Sequence, residues 1–367
     1  MSATQAEQQS GSPLYLYAIV PSNAHGEATI AGVNGITDGI TMVRGNWFSA
    51  VVGGSPGGSL KGRSRDELGR LLVAHQAVVE QLMNAGPVLP VKFGTQAPDE
   101  IRVHKVLEQG RPLFETAFVK LESCTQLVVV VTWDLDAVFA DIAAQEPIAS
   151  LKVRLAGNEG VTPEERAALG KLVKDALEQR RAAVARSLLN GLRAVAVDVI
   201  INPITADRTV LDVALLVKTD AGAAVERCLE MLDAQHAGCL RFRCIGPMPP
   251  ASFATVLIDF IESDEIERAS RSLNVDVGAG IEDVRSAYHR LARTIHPDAE
   301  GGSAPEMAAL TEAYKVLSRH ARARQDEQSA VAAHAVTPAV LVSIQRQESA
   351  SGPGSIMESS GAPHVRH

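Results

Sequence analysis

No apolar run in the sequence approaches the ~18 residues that a membrane helix needs. The longest aliphatic stretches, such as Leu127 to Val131 and Val213 to Val217, are far shorter, so no segment is expected to span a bilayer. Basic residues are not in excess either. A net charge of −8 and a pI near 5.7 give no long-range attraction for phosphate backbones or anionic lipid, so neither nucleic acid nor membrane is an expected partner. Met1 to Ser12 lacks the basic and apolar regions of a secretory signal, which makes the cytoplasm the expected compartment. Cys124, Cys228, Cys239 and Cys244 include no CxxC pair, the spacing by which zinc sites announce themselves. They read as buried free thiols, since free cysteine packs as a small hydrophobe. HExxH is missing too, and the ten histidines are scattered. No metal or other cofactor is expected, and His75 and His104 read as helix-surface or satisfied core groups.

Nucleotide-binding signatures are also lacking: no Gly-Lys-Ser/Thr phosphate loop occurs, and no GxGxxG follows a strand. One catalytic pattern is present. Gly53-Gly54-Ser55-Pro56-Gly57 matches the GxSxG of a nucleophile elbow, and an esterase built on Ser55 would be labelled by a serine-directed probe. The residue after such a serine normally donates its backbone N–H to the oxyanion hole, and Pro56 has none. The next helix also begins about nine residues later, where an elbow needs it at once. The stretch reads as a Gly/Ser-rich surface loop, and no enzyme is expected.

What is present is a globular composition. Hydrophobic residues make up 46% and charged residues 21% of 367, enough for two or three domains of about 100 to 150 residues. Leu14 to Val20 reads as a strand stopped by Pro21, and Ile40 to Arg44 with Phe48 to Val52 as a hairpin around Gly45-Asn46. Ser64 and Glu67 form a capping box for a helix that Gly86-Pro87 stops. Val88 to Phe93 is expected as a strand, Asp99 to Glu122 as a helical region, and Gln126 to Trp133 as a buried strand. This β-β-β-α-β-α-β order suggests a ferredoxin-like sheet with some rewiring. Thr162-Pro163-Glu164-Glu165 starts a long helix reaching about Leu192. Strand Thr209 to Val217, helix Ala221 to Gln235 and strand Cys239 to Ile245 then make a second module.

Further on, Ile281, Val284, Ala287, Tyr288, Leu291, Ala292 and Ile295 share one helical stripe, while Arg285, His289 and Arg293 share another. The helix should end at His296-Pro297-Asp298, because proline disfavours helical geometry in the residue before it. Ser303-Ala304-Pro305-Glu306 caps a second helix with Met307, Leu310, Tyr314 and Leu317 inward. Over roughly residues 270 to 322 this segment resembles the J domain of DnaJ-type co-chaperones, through AYHRLARTIHPD and TEAYKVLS. The resemblance implies that Arg285, His289, Arg293, His296, Pro297 and Asp298 dock on a DnaK-type ATPase and stimulate it. A merely solvated basic face and a capped structural turn remain the plainer reading of the same residues.

Further motifs concern the first 260 residues. Leu14 to Pro21, His75, and Val88-Leu89-Pro90-Val91-Lys92-Phe93-Gly94-Thr95 occur in that order, followed by Gly246-Pro247-Met248-Pro249-Pro250-Ala251-Ser252-Phe253. Together they resemble the GvpL/GvpF family of gas vesicle proteins, with Met248 and Ala251 standing where that family's closing signature has aromatics. The resemblance implies binding of the small hydrophobic shell protein, contact with other gas vesicle accessory proteins, and help with nucleation or assembly. Leu89, Pro90, Lys92, Phe93, Gly94, Thr95, Gly246, Pro247, Pro249, Pro250 and Phe253 carry it. For Val88 to Thr95, ordinary core and turn stands beside client contact.

The sequence thus points to an α+β protein. A flexible leader (1–13) precedes a ferredoxin-like module (14–150) and a second α+β module (151–261), and a J-domain-like helical segment (262–325) and a disordered tail (326–367) follow. The expected function is gas vesicle assembly in the cytoplasm and on the vesicle; the alternative is a general J-domain co-chaperone or client adaptor unrelated to gas vesicles.

Overall fold

The computed structural model describes residues 13–24, 39–54, 60, 62–156, 162–236, 239–295, 303–327 and 339–350. They belong to two compact units, Met1–Phe118 with Val256–Gln345 and Val119–Thr255 with Arg346–His367.

In the first unit, β1 (Leu14–Pro21) is buried along its whole middle because strands flank both its edges. It pairs antiparallel with β3 (Phe48–Gly54), which pairs in turn with β2 (Thr41–Arg44) across the tight turn at Gly45-Asn46. Helix α1 (Arg65–Ala85) starts at the capping box: Ser64 Oγ accepts from the Glu67 N–H, and Glu67 accepts from the Ser64 N–H. Its buried Val78, Val79 and Leu82 pack on Tyr15, Tyr17 and Val51 of the sheet. The expected strand 88–93 is reduced to β4 (Leu89–Pro90), on the far edge of β1, and β5 (Gln96–Ala97) pairs with β1 further along. Pro90 has no N–H to continue a ladder, and the chain turns at Gly94, whose φ is +90°. Helices α2 (Glu100–Gln109) and α3 (Arg111–Lys120) follow, α2 capped by Asp99.

The second unit runs β6 (Cys124–Trp133), α4 (Leu135–Ala143), α5 (Ile148–Ala156), α6 (Pro163–Val195), β7 (Asp198–Ile201), β8 (Thr209–Lys218), α7 (Gly222–Gln235) and β9 (Leu240–Met248). Its sheet order is β7-β8-β6-β9, all antiparallel. The capping box at Thr162 and Glu165 starts the 33-residue α6 as its sequence requires. A β-α-β-β-α-β order whose first strand lies between the third and fourth is the ferredoxin-like arrangement, so that topology falls in this unit. The sequence reading placed β6 with the first sheet; its continuous apolar run instead finds partners on both edges in β8 and β9. Leu188 and Leu192 of α6 and Val225 and Leu232 of α7 cover this sheet through Val129, Val131, Val213 and Leu215.

The chain then returns to the first unit through β10 (Thr255–Ile261), α8 (Ser263–Leu273), α9 (Ile281–Ile295) and α10 (Ala304–Glu327). Val91 bridges Val256 in parallel, and the Lys92 N–H donates to the Val256 carbonyl at 2.9 Å. Part of the stretch expected as a disordered tail is a strand, β11 (Ala339–Gln345), paired with β10. Val340 is buried there and Leu341 packs on the core of α8, α9 and α10, so a short apolar run outweighs its polar surroundings. Arg346 goes on to pair with Asp198 at 2.9 Å, and the Ala350 N–H donates to Ile201 O at 2.8 Å in the second unit. Residues 351–367 lie outside the described residues.

Candidate functional site

The sequence motifs of the first 100 residues converge on one histidine. His75 on α1 is 7% exposed and lies within reach of β1 and the 88–95 segment. Gly94 N–H donates to Tyr15 Oη at 3.0 Å, so the tyrosine proton is left to donate to His75 Nδ1 at 3.1 Å. His75 Nε2–H then donates to the Val91 carbonyl at 3.1 Å. This chain of donors fixes the neutral Nε2–H tautomer by elimination. Tyr17 stacks on the imidazole at 5.5 Å and Phe93 meets it edge-on at 5.7 Å. Burial holds the imidazole down to about 4, against the opposing pull of its bond to Val91, and pushes both tyrosines up. His75 is thus a satisfied core group, whereas His104 is exposed on α2.

Leu89 and Pro90 are buried against β1, Lys92 is exposed, and Phe93, Gly94 and Thr95 are half-buried around the turn, where the Thr95 hydroxyl donates to the Lys92 carbonyl at 2.7 Å. A side chain at Gly94 would meet Leu60 at 2.8 Å. Core and turn therefore account for most of this motif.

The closing motif lies in the second unit, where β9 leaves β6. The register slips between Gln126 and Val128, leaving β9 one residue longer than its partner. Gly246 stands in that bulge at φ +134°, and a Cβ would come within 2.8 Å of the Gln126 carbonyl oxygen and of Leu127. Gln126, 4% exposed, accepts the Ser252 N–H at 3.0 Å, and Thr125 Oγ1 donates to the Met248 carbonyl at 3.1 Å. Pro249, Pro250 and Phe253 are buried, while Gly246 and Pro247 are exposed. The aromatic in this motif is a core anchor for the turn, and Gln126, which sequence reasoning did not single out, is its hydrogen-bonding partner.

In the J-like segment, Tyr288 of α9 stacks on Tyr314 of α10 at 4.5 Å, above a core of Ile266, Leu273, Val284, Leu310 and Leu317. Arg285, His289 and Arg293 are exposed along α9, as the stripe requires, and no described carboxylate pairs with them. His296, Pro297 and Asp298 lie outside the described residues. The base of α8 is tied to α2, since Arg102 bonds both the cap Asp99 and Glu262, the latter at 2.9 Å. Arg319 of α10 pairs with Asp259 of β10.

Among the described residues no His, Cys, Asp and Glu cluster could hold a metal ion, and no helix is long and apolar enough to cross a membrane. None of the four cysteines is joined in a disulfide, and only Cys228 is buried. Cys244 is exposed on the edge strand β9, Cys239 is exposed just before it and Cys124 is half-buried, a correction to the reading of these three as core thiols.

Comparison with known proteins fits this division. The DnaJ domain model matches residues 271–326. Chaperone protein DnaJ of Tropheryma whipplei (strain Twist) is 48% identical over 46 residues, which span 12% of this chain and 13% of that protein. Crystal structures of the gas vesicle protein GvpF from Anabaena sp. PCC7120 and from Microcystis aeruginosa superpose with TM-scores of 0.57 and 0.53 at 21% and 20% identity, covering 66% of this chain and 98% of each of theirs. Gas vesicle protein F of Streptomyces sp. (strain CB03234) is 30% identical over 186 residues, 50% of this chain and 77% of that protein. The model of the family described as gas vesicle synthesis protein GvpL/GvpF matches residues 13–255. With its tyrosine–histidine lock and its closing Gly-Pro turn in place, the chain belongs to the GvpL/GvpF family of gas vesicle synthesis proteins and carries a J domain beyond the family segment.

Proposed function

We propose that this protein assists gas vesicle assembly by holding the vesicle shell protein, working in the cytoplasm and on the growing vesicle beside other accessory proteins. A subunit destined for a gas-facing wall has to be kept from self-association until it is placed. An acidic partner offering complementary surfaces does this without making or breaking a bond. The family match over 13–255 carries the reading.

The J-like segment recruits a DnaK-type ATPase to the same client through Arg285, His289, Arg293 and the His296-Pro297-Asp298 motif. The exposure of the basic stripe without carboxylate partners among the described residues favours docking over intramolecular pairing. A general client adaptor, unrelated to vesicles, is the second reading, which the DnaJ match over 271–326 supports. Deleting the gene in a gas-vesicle-forming host separates the two. Loss or malformation of vesicles, with capture of shell protein by the full-length chain, is the expected result, and a normal vesicle population rejects the assembly role. His296→Gln in the full chain should abolish stimulation of the ATPase while leaving shell-protein capture intact; unchanged stimulation rejects the chaperone coupling.

A further inference from the structure

We propose that the outer edge of β9 is a docking site for an extended acidic segment of a partner protein, which adds to the sheet of the second unit as a further strand. The inference stands on this edge alone and is independent of the assembly role.

β9 ends the order β7-β8-β6-β9, so one of its edges is open among the described residues. The groups on that edge follow from the alternation of bonding directions along antiparallel ladders. The Asn202 N–H donates to the Asp212 carbonyl and the Val197 N–H to Leu216 O, so Asp212 and Leu216 of β8 turn toward β7. Val213 and Leu215 then turn toward β6, where they meet Val129 and Leu127. That leaves Val128 and Val130 to bond β9, through Ile245 and Arg243. The N–H and C=O groups of Phe242 and Cys244 consequently point away from the sheet, and no backbone bond joins them to another described residue. Such an edge is a template for strand addition.

The side chains say which strand. Leu240 and Phe242 pack with Val129, Val131 and Trp133 in the core under the helices, so Arg241, Arg243 and Ile245 lie on the other face. Both arginines are exposed, and neither has an ion pair or hydrogen bond among the described residues. Asp212 shares their face but stands beyond Val130, where it accepts from Asn202 Nδ2 at 2.7 Å. Asp134, past the end of β6, caps α4. Ile245, 37% exposed, closes the row, and the Pro247 that follows has no N–H to carry a ladder further.

The complement is an extended segment of about six residues with carboxylates opposite Arg241 and Arg243 and an apolar residue opposite Ile245. Main-chain bonds to Phe242 and Cys244 supply affinity, and the charges supply selection. A second copy of β9 does not meet this requirement: antiparallel pairing of the strand with itself about a two-fold axis brings four arginines onto one face.

The test uses the full-length protein and fluorescein-labelled peptides with blocked ends, read by anisotropy. One peptide carries valine, glutamate and glutamate in that order at alternate positions with threonine between them; a second has glutamine for glutamate; a third has the same charge but is interrupted by proline. The first should bind at least about fivefold more tightly than either of the others. Arg241→Gln and Arg243→Gln should each weaken it about twofold to fivefold, while Arg271→Gln on α8 should leave it unchanged. In the wild-type protein the first peptide should slow hydrogen exchange at the Phe242 and Cys244 amides, which attraction of charge alone does not do. Equal binding of the glutamate and glutamine peptides, binding that neither arginine variant weakens, or binding without protection of those two amides overturns the assignment. A single-stranded oligonucleotide that binds more tightly than the first peptide and needs the same arginines also overturns it, in favour of nucleic acid.

Discussion

Replacing His75 with phenylalanine should remove an acid sensitivity that the wild-type protein carries in its first unit. The folded imidazole resists protonation until about pH 4, whereas in the unfolded chain it titrates near its ordinary ~6.5. As pH falls through that window the unfolded state takes up a proton that the folded state refuses, so stability falls with pH. The loss attributable to this one group between about pH 7 and about pH 4.5 is roughly 2 kcal/mol, and its full extent is about 3 kcal/mol. Protonation also puts a hydrogen on Nδ1, facing the Tyr15 hydroxyl that now donates to it. Phenylalanine cannot titrate, so the pH-dependent part of the loss should vanish. In exchange, the variant leaves the Tyr15 hydroxyl proton and the Val91 carbonyl without the partners His75 gave them, at about 1–3 kcal/mol each. Urea unfolding of both proteins at the two pH values measures this directly. The variant should be less stable at neutral pH and lose roughly 2 kcal/mol less on acidification. If both proteins lose stability in parallel between the two pH values, the buried neutral histidine is wrong.

Gly246→Ala should destabilise the second unit by about 2 kcal/mol or more, through its left-handed backbone and the contact with the Gln126 carbonyl; an unchanged urea midpoint would contradict the tight bulge. Tyr314→Ala should cost about 3 kcal/mol by unstacking Tyr288 and opening the core of the α9–α10 hairpin, seen as early loss of hydrogen-exchange protection in α9 and α10 alone.

Local chemistry was legible and long-range pairing was not. Ser64 with Glu67 and Thr162 with Glu165 name their own helix starts, because a capping box is completed within four residues. The β2–β3 hairpin is likewise settled by its turn. Nothing in Gln126 to Trp133, however, says which strands will flank it: an apolar run is equally suited to either sheet, and only folding joins it to β8 and β9. Val340 and Leu341 sit in a stretch whose mean composition is polar, and composition averages away the seven residues of β11 that pair with β10. The motif residues were recognisable, but their roles were not. Tyr15, His75 and Gly94 become a single hydrogen-bonded chain only once strand, helix and turn meet. Trp47 carries no pattern at all in the sequence, and only the fold brings the Arg111 guanidinium to 3.9 Å over its ring.

The J-like hairpin does not hang from a free tether. The helix that leads into it, α8, is joined to α2 through Arg102 and Glu262, its own last helix, α10, to β10 through Arg319 and Asp259, and β10 is itself bridged to Val91. Each surface ion pair is weak alone, yet three attachments on different elements leave little freedom to swivel. A swinging arm samples a volume, and its reach depends on its length; a bracket has one bearing. Anything that grips α9 is therefore delivered to a single position over the first unit, and shifting that position would take a change in the joints rather than a longer leash.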